Sequence, residues 1–112
     1  MLPLNSNKPV FSAEEATVIK FALNIFLQTD FSGLTTKKEE ENAKKYARLS
    51  FDKLLKNVNE FSFKELCVMG GAVDNLISLI EAGETFGITK VQMKNCQYFL
   101  PSVKQKLVDL IS

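Results

Sequence analysis

The two halves of this 112-residue chain carry the same sequence pattern. Residues 11–18 and 61–68 both read F-S-x-x-E-x-x-V, and an alanine follows four residues after the valine in each copy. Gly33-Leu34-Thr35 of the first half recurs as Gly87-Ile88-Thr89 of the second. Self-similarity of this kind is the signature of a repeated structural unit. The pattern therefore predicts two copies of one helical hairpin.

Four capping boxes mark four helix starts. In such a box, a Ser or Thr is followed three residues later by Glu or Gln, and each side chain binds the backbone amide of the other. The capping residues are Ser12, Thr36, Ser62 and Thr89. We expect helices over residues 13–29, 37–57, 63–82 and 89–111. The predicted fold is all-α: a four-helix bundle built from two repeated hairpins, residues 12–58 and 62–111.

Two further features refine this fold. Residues 1–11 contain two prolines and several polar turn residues, so we expect an extended N-terminal arm ahead of a single helical domain over 12–112. Pro101 lies within the last helix, where it removes a backbone donor and clashes with the preceding turn. We therefore expect this helix to be kinked or split near Pro101.

Helix one carries an unusually wide apolar surface. Its polar residues Thr17, Lys20, Asn24 and Gln28 fall on one narrow stripe. A surface helix needs a narrower apolar face than this. The helix is therefore expected to be central in the bundle, to contact another molecule, or both. Phe21 and Leu27 lie at the edges of the apolar arc and are the predicted protein-interface residues.

Helix three contains Gly70-Gly71, which costs about 1 kcal/mol per glycine relative to alanine. A band of small side chains surrounds the pair on the helix surface: Cys67, Gly71, Asp74, Asn75 and Ser78. The band predicts close approach of a neighbouring helix, with a kink as the competing explanation. Gly71 aligns with Phe21 in the repeat, so we expect the Phe21 ring to rest there.

The composition argues against catalysis. The chain has no histidine, which excludes a Ser-His-Asp triad and most transition-metal sites. Its consecutive acidic residues, Glu39-Glu40-Glu41, diverge around a helix and cannot converge on one substrate. No phosphate-binding, dinucleotide-binding or calcium-binding loop is present. We therefore expect no enzyme activity, no catalytic residues, no cofactor and no metal.

The two cysteines, Cys67 and Cys96, are too far apart in sequence for a metal-binding motif. Cys67 lies in an apolar helical run, so the sequence predicts a buried free thiol there, with a disulfide to Cys96 as the lesser alternative. The N-terminus lacks the pattern of a signal peptide, and no apolar run has the length of a membrane span. We expect a cytoplasmic protein that does not enter membranes.

One segment resembles the helix-turn-helix family of DNA-binding proteins. Residues 83–98 place Gly83 and Gly87 four positions apart, with apolar Ile88 and Met93 after them. The resemblance implies that the following helix would contact DNA through four side chains: Lys90, Gln92, Lys94 and Asn95. However, Gly87-Ile88-Thr89 has a counterpart in the first half, so a hairpin connection also explains it. Nucleic-acid binding is therefore the disfavoured alternative.

These observations favour a small non-enzymatic module for protein–protein interaction: an adaptor, regulator or inhibitor of a host protein. A net charge of +1 gives no strong attraction to nucleic acid or membranes. Thirteen lysines against one arginine indicate an AT-rich genome, as in low-GC bacteria, their phages and mobile elements. The partner is expected to be another protein or a second copy of the chain, with a homodimer through helix one as the simplest form.

Overall fold

The computed structural model describes residues 10–112, and they form four helices that pack against one another as predicted for an all-α bundle. The helices are α1 (Ala13–Gln28), α2 (Lys37–Leu55), α3 (Phe63–Glu81) and α4 (Lys90–Ile111). The predicted starts agree with these bounds to within one residue, and the predicted ends to within two. Of the predicted N-terminal arm, residues 1–9 lie outside the described residues, while Val10 and Phe11 pack against the core.

Each helix begins at the capping box that the sequence predicts. The side chains of Ser12, Thr36, Ser62 and Thr89 accept hydrogen bonds from the backbone amides three residues later. The Glu or Gln at that third position accepts in return from the amide of the capping residue. Two otherwise unpaired amides are satisfied at each helix start, which fixes the boundary locally.

Helices α1 and α3 form the centre of the bundle. They pack directly against each other, and each also contacts both α2 and α4. Within residues 10–112, α2 and α4 do not contact each other. Ala22 and Ala72 are fully buried, and such small side chains allow α1 and α3 to lie close together. The central position of α1 accounts for its wide apolar surface.

An ion pair with a buried carboxylate and a half-exposed lysine ties the start of α1 to the second half of α4. Glu15 is 5% exposed, and its carboxylate accepts hydrogen bonds from Lys106 Nζ at 2.6 Å and Ser102 Oγ at 2.8 Å. Burial alone would raise the pKa of Glu15, but the hydrogen bonds from Lys106, Ser12 and Ser102 outweigh it and lower the pKa to about 2. The carboxylate is therefore ionised and anchored to α4.

A second ion pair with a buried carboxylate ties the start of α3 to α2. Glu65 is 3% exposed and accepts a hydrogen bond from Lys53 Nζ at 2.8 Å. Lys53 also donates to the carbonyl oxygen of Glu60 at 2.9 Å. Burial again opposes ionisation, and the hydrogen bonds from Lys53 and Ser62 lower the pKa of Glu65 overall. Both ion pairs join one predicted hairpin to the other.

Helix α4 continues through Pro101 from Lys90 to Ile111, so the expectation of two shorter helices is wrong. A kink at this position stays a prediction. Pro101 and Gln97 both lie on the exposed side of the helix. The carbonyl oxygen of Gln97, which loses its intrahelical donor at Pro101, can therefore be hydrated, and the helix need not end.

The band of small residues on α3 does not receive a neighbouring helix among the described residues. Cys67, Gly71, Asp74 and Ser78 are all exposed. The prediction that Phe21 rests on Gly71 is wrong: a Cβ atom at Gly71 would have no neighbour within 4 Å, and Phe21 packs against Phe86 instead. The residues share one helix face, but it is the face opposite the buried one.

The cysteine predictions are also corrected. Cys67 is exposed because it lies on this outer face of α3, and Cys96 is the buried thiol. Both are free, so the alternative of a disulfide between them is not realised. An apolar run alone does not reveal which side of the helix faces the core.

We expect Glu15→Gln to lower the free energy of unfolding by about 1–2 kcal/mol at pH 7, because it removes the charged acceptor that Lys106, Ser102 and the Ser12 amide share. The pKa of Glu15 is lower in the folded state than in the unfolded chain, so its contribution is present above about pH 4.5 and is lost as the pH falls toward 2. Urea unfolding at pH 7 and at pH 2.5 measures both effects.

The matched control for this test is Glu14→Gln. Glu14 is the adjacent residue, is exposed and has no ion-pair partner among residues 10–112. The substitution Glu14→Gln should change the free energy of unfolding by less than about 1 kcal/mol. Equal losses in the two variants, or a loss in Glu15→Gln that is the same at both pH values, would contradict the role of the ion pair.

We expect Gly71→Ala to raise the free energy of unfolding by about 0.5–1 kcal/mol, since the backbone there is helical and a Cβ meets no atom within 4 Å. Gly70→Ala is the comparison, because its Cβ would lie 3.6 Å from Ile111 Cδ1 and gain a contact as well. Thermal unfolding of both variants tests this. A lower free energy of unfolding for Gly71→Ala than for wild type would show that the outer face of α3 has no room for the added methyl group.

Candidate binding groove

A groove runs between the first half of α1 and the first half of α4. It has a volume of about 300 Å³. Its lining residues are Glu14, Thr17, Val18, Phe21, Ile88, Gln92, Asn95, Cys96 and Phe99. Residues 14, 17, 18 and 21 on α1, and 92, 95, 96 and 99 on α4, each follow the i, i+3, i+4, i+7 spacing of one helix face. Two facing rows of side chains, one from each helix, therefore form its walls.

The floor of the groove is apolar. Val18 and Cys96 are buried, while Phe21 and Phe99 are half-buried and pack against the core. Burial raises the pKa of the Cys96 thiol above its ordinary value, so the thiol stays neutral at pH 7. The floor therefore presents carbon and neutral sulfur atoms to whatever occupies the groove.

Aromatic neighbours hold the two phenylalanines in place. Phe21 meets Phe86, from the α3–α4 connection, in an edge-to-face contact with ring centroids 5.5 Å apart. Phe99 makes a similar contact with Tyr98 at 5.0 Å. Such contacts fix ring orientation as well as contributing to packing. The groove is therefore shaped before any partner arrives.

The rim is mainly polar. Thr17, Gln92 and Asn95 are exposed and neutral, and Glu14 supplies the one charge among the lining residues. Gln92 is partly committed, because its Oε1 accepts the Thr89 amide in the capping box of α4. Thr17 Oγ1 likewise donates to the carbonyl oxygen of Ala13 at 2.9 Å. The polar groups left to meet a partner are therefore the Glu14 carboxylate, the Asn95 amide and Gln92 Nε2.

The structure places the two predicted interface residues differently. Phe21 lines the groove, whereas Leu27 lies almost two turns further along α1, is half-buried and packs against the core outside the groove lining. Both contact the protein's own interior, which is the packing that a central helix requires. Their role in binding another molecule stays a prediction.

The four side chains of the DNA-binding alternative divide between two surfaces. Gln92 and Asn95 line the groove, while Lys90 and Lys94 line a separate depression on the other side of α4. The connection between α3 and α4, residues 82–89, has eight residues, against the three or four typical of a helix-turn-helix. Gly83 and Gly87 adopt left-handed backbone angles, with φ of +94° and +71°, as a hairpin connection requires.

The sequence did not predict the groove as one site. Phe21, Gln92 and Asn95 were expected in separate interfaces, Cys96 was considered only as a cysteine and Ile88 only as part of the helix-turn-helix pattern, and Glu14 and Phe99 were not singled out. The available signal was the spacing of 92, 95, 96 and 99, which is that of one helix face. That spacing does not say which other helix supplies the opposite wall, so the groove appears only when α1 and α4 are packed.

Other kinds of site find no support in the described part of the chain. Among residues 10–112, no three His, Cys, Asp or Glu side chains are grouped so that they could hold a metal ion. None of the four helices is both long and apolar enough to cross a membrane. The lowered pKa values of Glu15 and Glu65 arise from ion pairs that position helices, as described above.

Comparison with known proteins adds no assignment. No protein-family model matches the chain, and neither the curated proteins nor the solved structures contain a significant match to it. The groove between α1 and α4 is therefore the basis of the functional argument.

Proposed function

We propose that this protein is a non-enzymatic helical module that binds an apolar segment of a partner protein in the α1–α4 groove. The observation that carries the proposal is the groove itself: two helix faces that line an apolar floor with a polar rim. Grooves of this form accept amphipathic segments in many complexes. The module would act as an adaptor, regulator or inhibitor of the protein that it holds.

The carboxylates with lowered pKa values support a non-catalytic role. A catalytic acid or base needs a pKa near the working pH and access to a substrate. Glu15 and Glu65 are ionised, buried and bound to lysines, while Asp30 and Glu39 have their pKa values lowered by local hydrogen bonds from Ser32 and Thr36. Each lowered pKa has a structural cause.

The proposed duplication of one hairpin gains support from the ion pairs. Glu15 and Glu65 occupy the same position of the F-S-x-x-E pattern, fifty residues apart. Their partners, Lys106 and Lys53, are themselves 53 residues apart, at matching positions of α4 and α2. Each hairpin would thus supply the lysine that binds the glutamate of the other.

The partner in this proposal is another protein or a second copy of the chain. The half-buried position of Phe21 and Leu27 means that a homodimer through α1 would use the groove rather than an open helix face. The free thiols of Cys67 and Cys96 fit the cytoplasmic location expected from the sequence.

The helix-turn-helix alternative makes a different prediction. A DNA reader binds through several phosphate contacts, so its affinity falls steeply as salt increases. Here the long α3–α4 connection and the division of Lys90 and Lys94 from Gln92 and Asn95 weigh against a recognition helix. We therefore rank DNA binding below the protein-binding proposal.

Affinity capture from nuclease-treated host lysate tests the proposed function, with Asn95→Tyr and Asn24→Tyr as matched variants. Both replace an exposed asparagine, but Asn95 lines the groove and Asn24 lies on the outer side of α1. We expect wild type and Asn24→Tyr to retain one stoichiometric protein partner. Asn95→Tyr should lose at least about 90% of it, because the tyrosine ring fills the groove.

Circular dichroism of the two variants shows whether both remain folded. Retention of the same partner by Asn95→Tyr would contradict the groove as the binding site. Recovery of DNA without nuclease, lost as salt is raised, would instead support the helix-turn-helix alternative.

A further inference from the structure

We propose that the occupant of the groove is an amphipathic α-helix of another protein, in which a lysine or arginine next to the apolar residues pairs with Glu14. This inference rests on the proposed function and specifies the chemistry of its partner. It is carried by the shape of the groove, by its single charge and by a contrast with the other half of the molecule.

The shape of the groove suits a helix. Residues 14–21 and 92–99 each span two helical turns, so the groove is about 10 Å long. Its walls are ridges of side chains at i, i+3, i+4 and i+7, and a third helix packs naturally into the space between two such ridges. Two turns of an incoming helix place two or three apolar side chains against Val18, Phe21 and Phe99.

The negative charge at the rim of the groove favours a partner helix that carries a basic residue. Glu14 is the one charged lining residue and has no ion-pair partner among residues 10–112. The adjacent residue, Glu15, points into the bundle, where its carboxylate accepts hydrogen bonds from Lys106 and Ser102. The nearby lysines of α4, Lys90 and Lys94, line the separate depression. A lysine or arginine on the partner therefore meets an unopposed carboxylate.

The corresponding surface in the other half of the chain, between α3 and α2, differs in its charge and is bridged by side chains. Position 14 of the F-S-x-x-E pattern corresponds to Lys64, and Phe99 corresponds to Tyr46 at the 53-residue offset that relates α2 to α4. Lys64 extends over the Tyr46 ring, with its Nζ atom 5.7 Å from the ring centroid, and so bridges α3 and α2. On the α1–α4 side, Glu14 makes no such bridge and the groove is open.

Selection from a phage-displayed library of randomised α-helical peptides tests this inference on the full chain. Wild type, Glu14→Lys, Asn24→Lys and Asn95→Tyr are panned in parallel. We expect wild type and Asn24→Lys to enrich peptides with apolar residues at i, i+3 or i+4, and i+7 flanked by lysine or arginine. Glu14→Lys should enrich Asp or Glu at the flanking position, and Asn95→Tyr should enrich neither.

Calorimetry with the strongest wild-type peptide then gives the size of the effect. We expect Glu14→Lys to weaken binding about fivefold or more, while Asn24→Lys, which adds a lysine on the outer side of the same helix, leaves the affinity unchanged. Selection of the same basic peptides by wild type and Glu14→Lys would overturn the role of Glu14. In that case, if Asn95→Tyr still abolishes binding, the groove keeps its proposed function.

Two other outcomes overturn the inference more fully. If Asn95→Tyr binds the selected peptides as wild type does, or if no peptide is enriched, the groove is not a helix-binding site. If sedimentation shows that wild type is a dimer that Asn95→Tyr dissociates, a second copy of the chain occupies the groove. The interaction module would then stand, but its partner would not be a foreign basic helix.

Discussion

The arrangement of the helices depends on two buried glutamates that bind lysines from the other half of the chain. Glu15 and Glu65 each complete the capping box of their own helix, and they also accept hydrogen bonds from Lys106 and Lys53, respectively. A buried carboxylate needs such partners, because burial alone disfavours its charged form. Each ion pair therefore fixes the start of one central helix: Glu15 ties α1 to α4, and Glu65 ties α3 to α2.

The same constraint explains where the groove lies. The bonds from Lys106 and Ser102 to Glu15 draw the second half of α4 against the start of α1. The first half of α4 extends past α1 and leaves the space that Phe21 and Phe99 line. The bonds of Glu15 to α4 and the apolar groove are thus adjacent, because both lie where α4 packs against α1. A partner that fills the groove would bind beside this ion pair.

Local features were the ones that the sequence could predict. The capping boxes at Ser12, Thr36, Ser62 and Thr89 involve residues three positions apart, so the helix starts follow from the chain itself. The wide apolar surface of α1 had two explanations, a central place in the bundle or contact with another molecule, and α1 does contact all three other helices as the first requires.

Features that depend on tertiary packing could not be predicted in the same way. Cys67 and Gly71 share their helix face with the polar residues Asp74 and Ser78, which were the available sign that it points outward, but small side chains on one face also suit the approach of a neighbouring helix. The groove required two walls from helices more than seventy residues apart in sequence. The partners of Glu15 required the same long-range information, although the capping box had already identified the residue.

The sequence separation of the two ion pairs also affects the order in which they can form. Glu15 finds its lysine 91 residues later in the chain, whereas Glu65 finds one twelve residues earlier. The contacts between α1 and α4 are thus among the most distant in sequence. Bringing two residues together across so long a stretch of chain carries a large entropic cost. The ion pair between Glu15 and Lys106 can therefore form only after α4 has been synthesised.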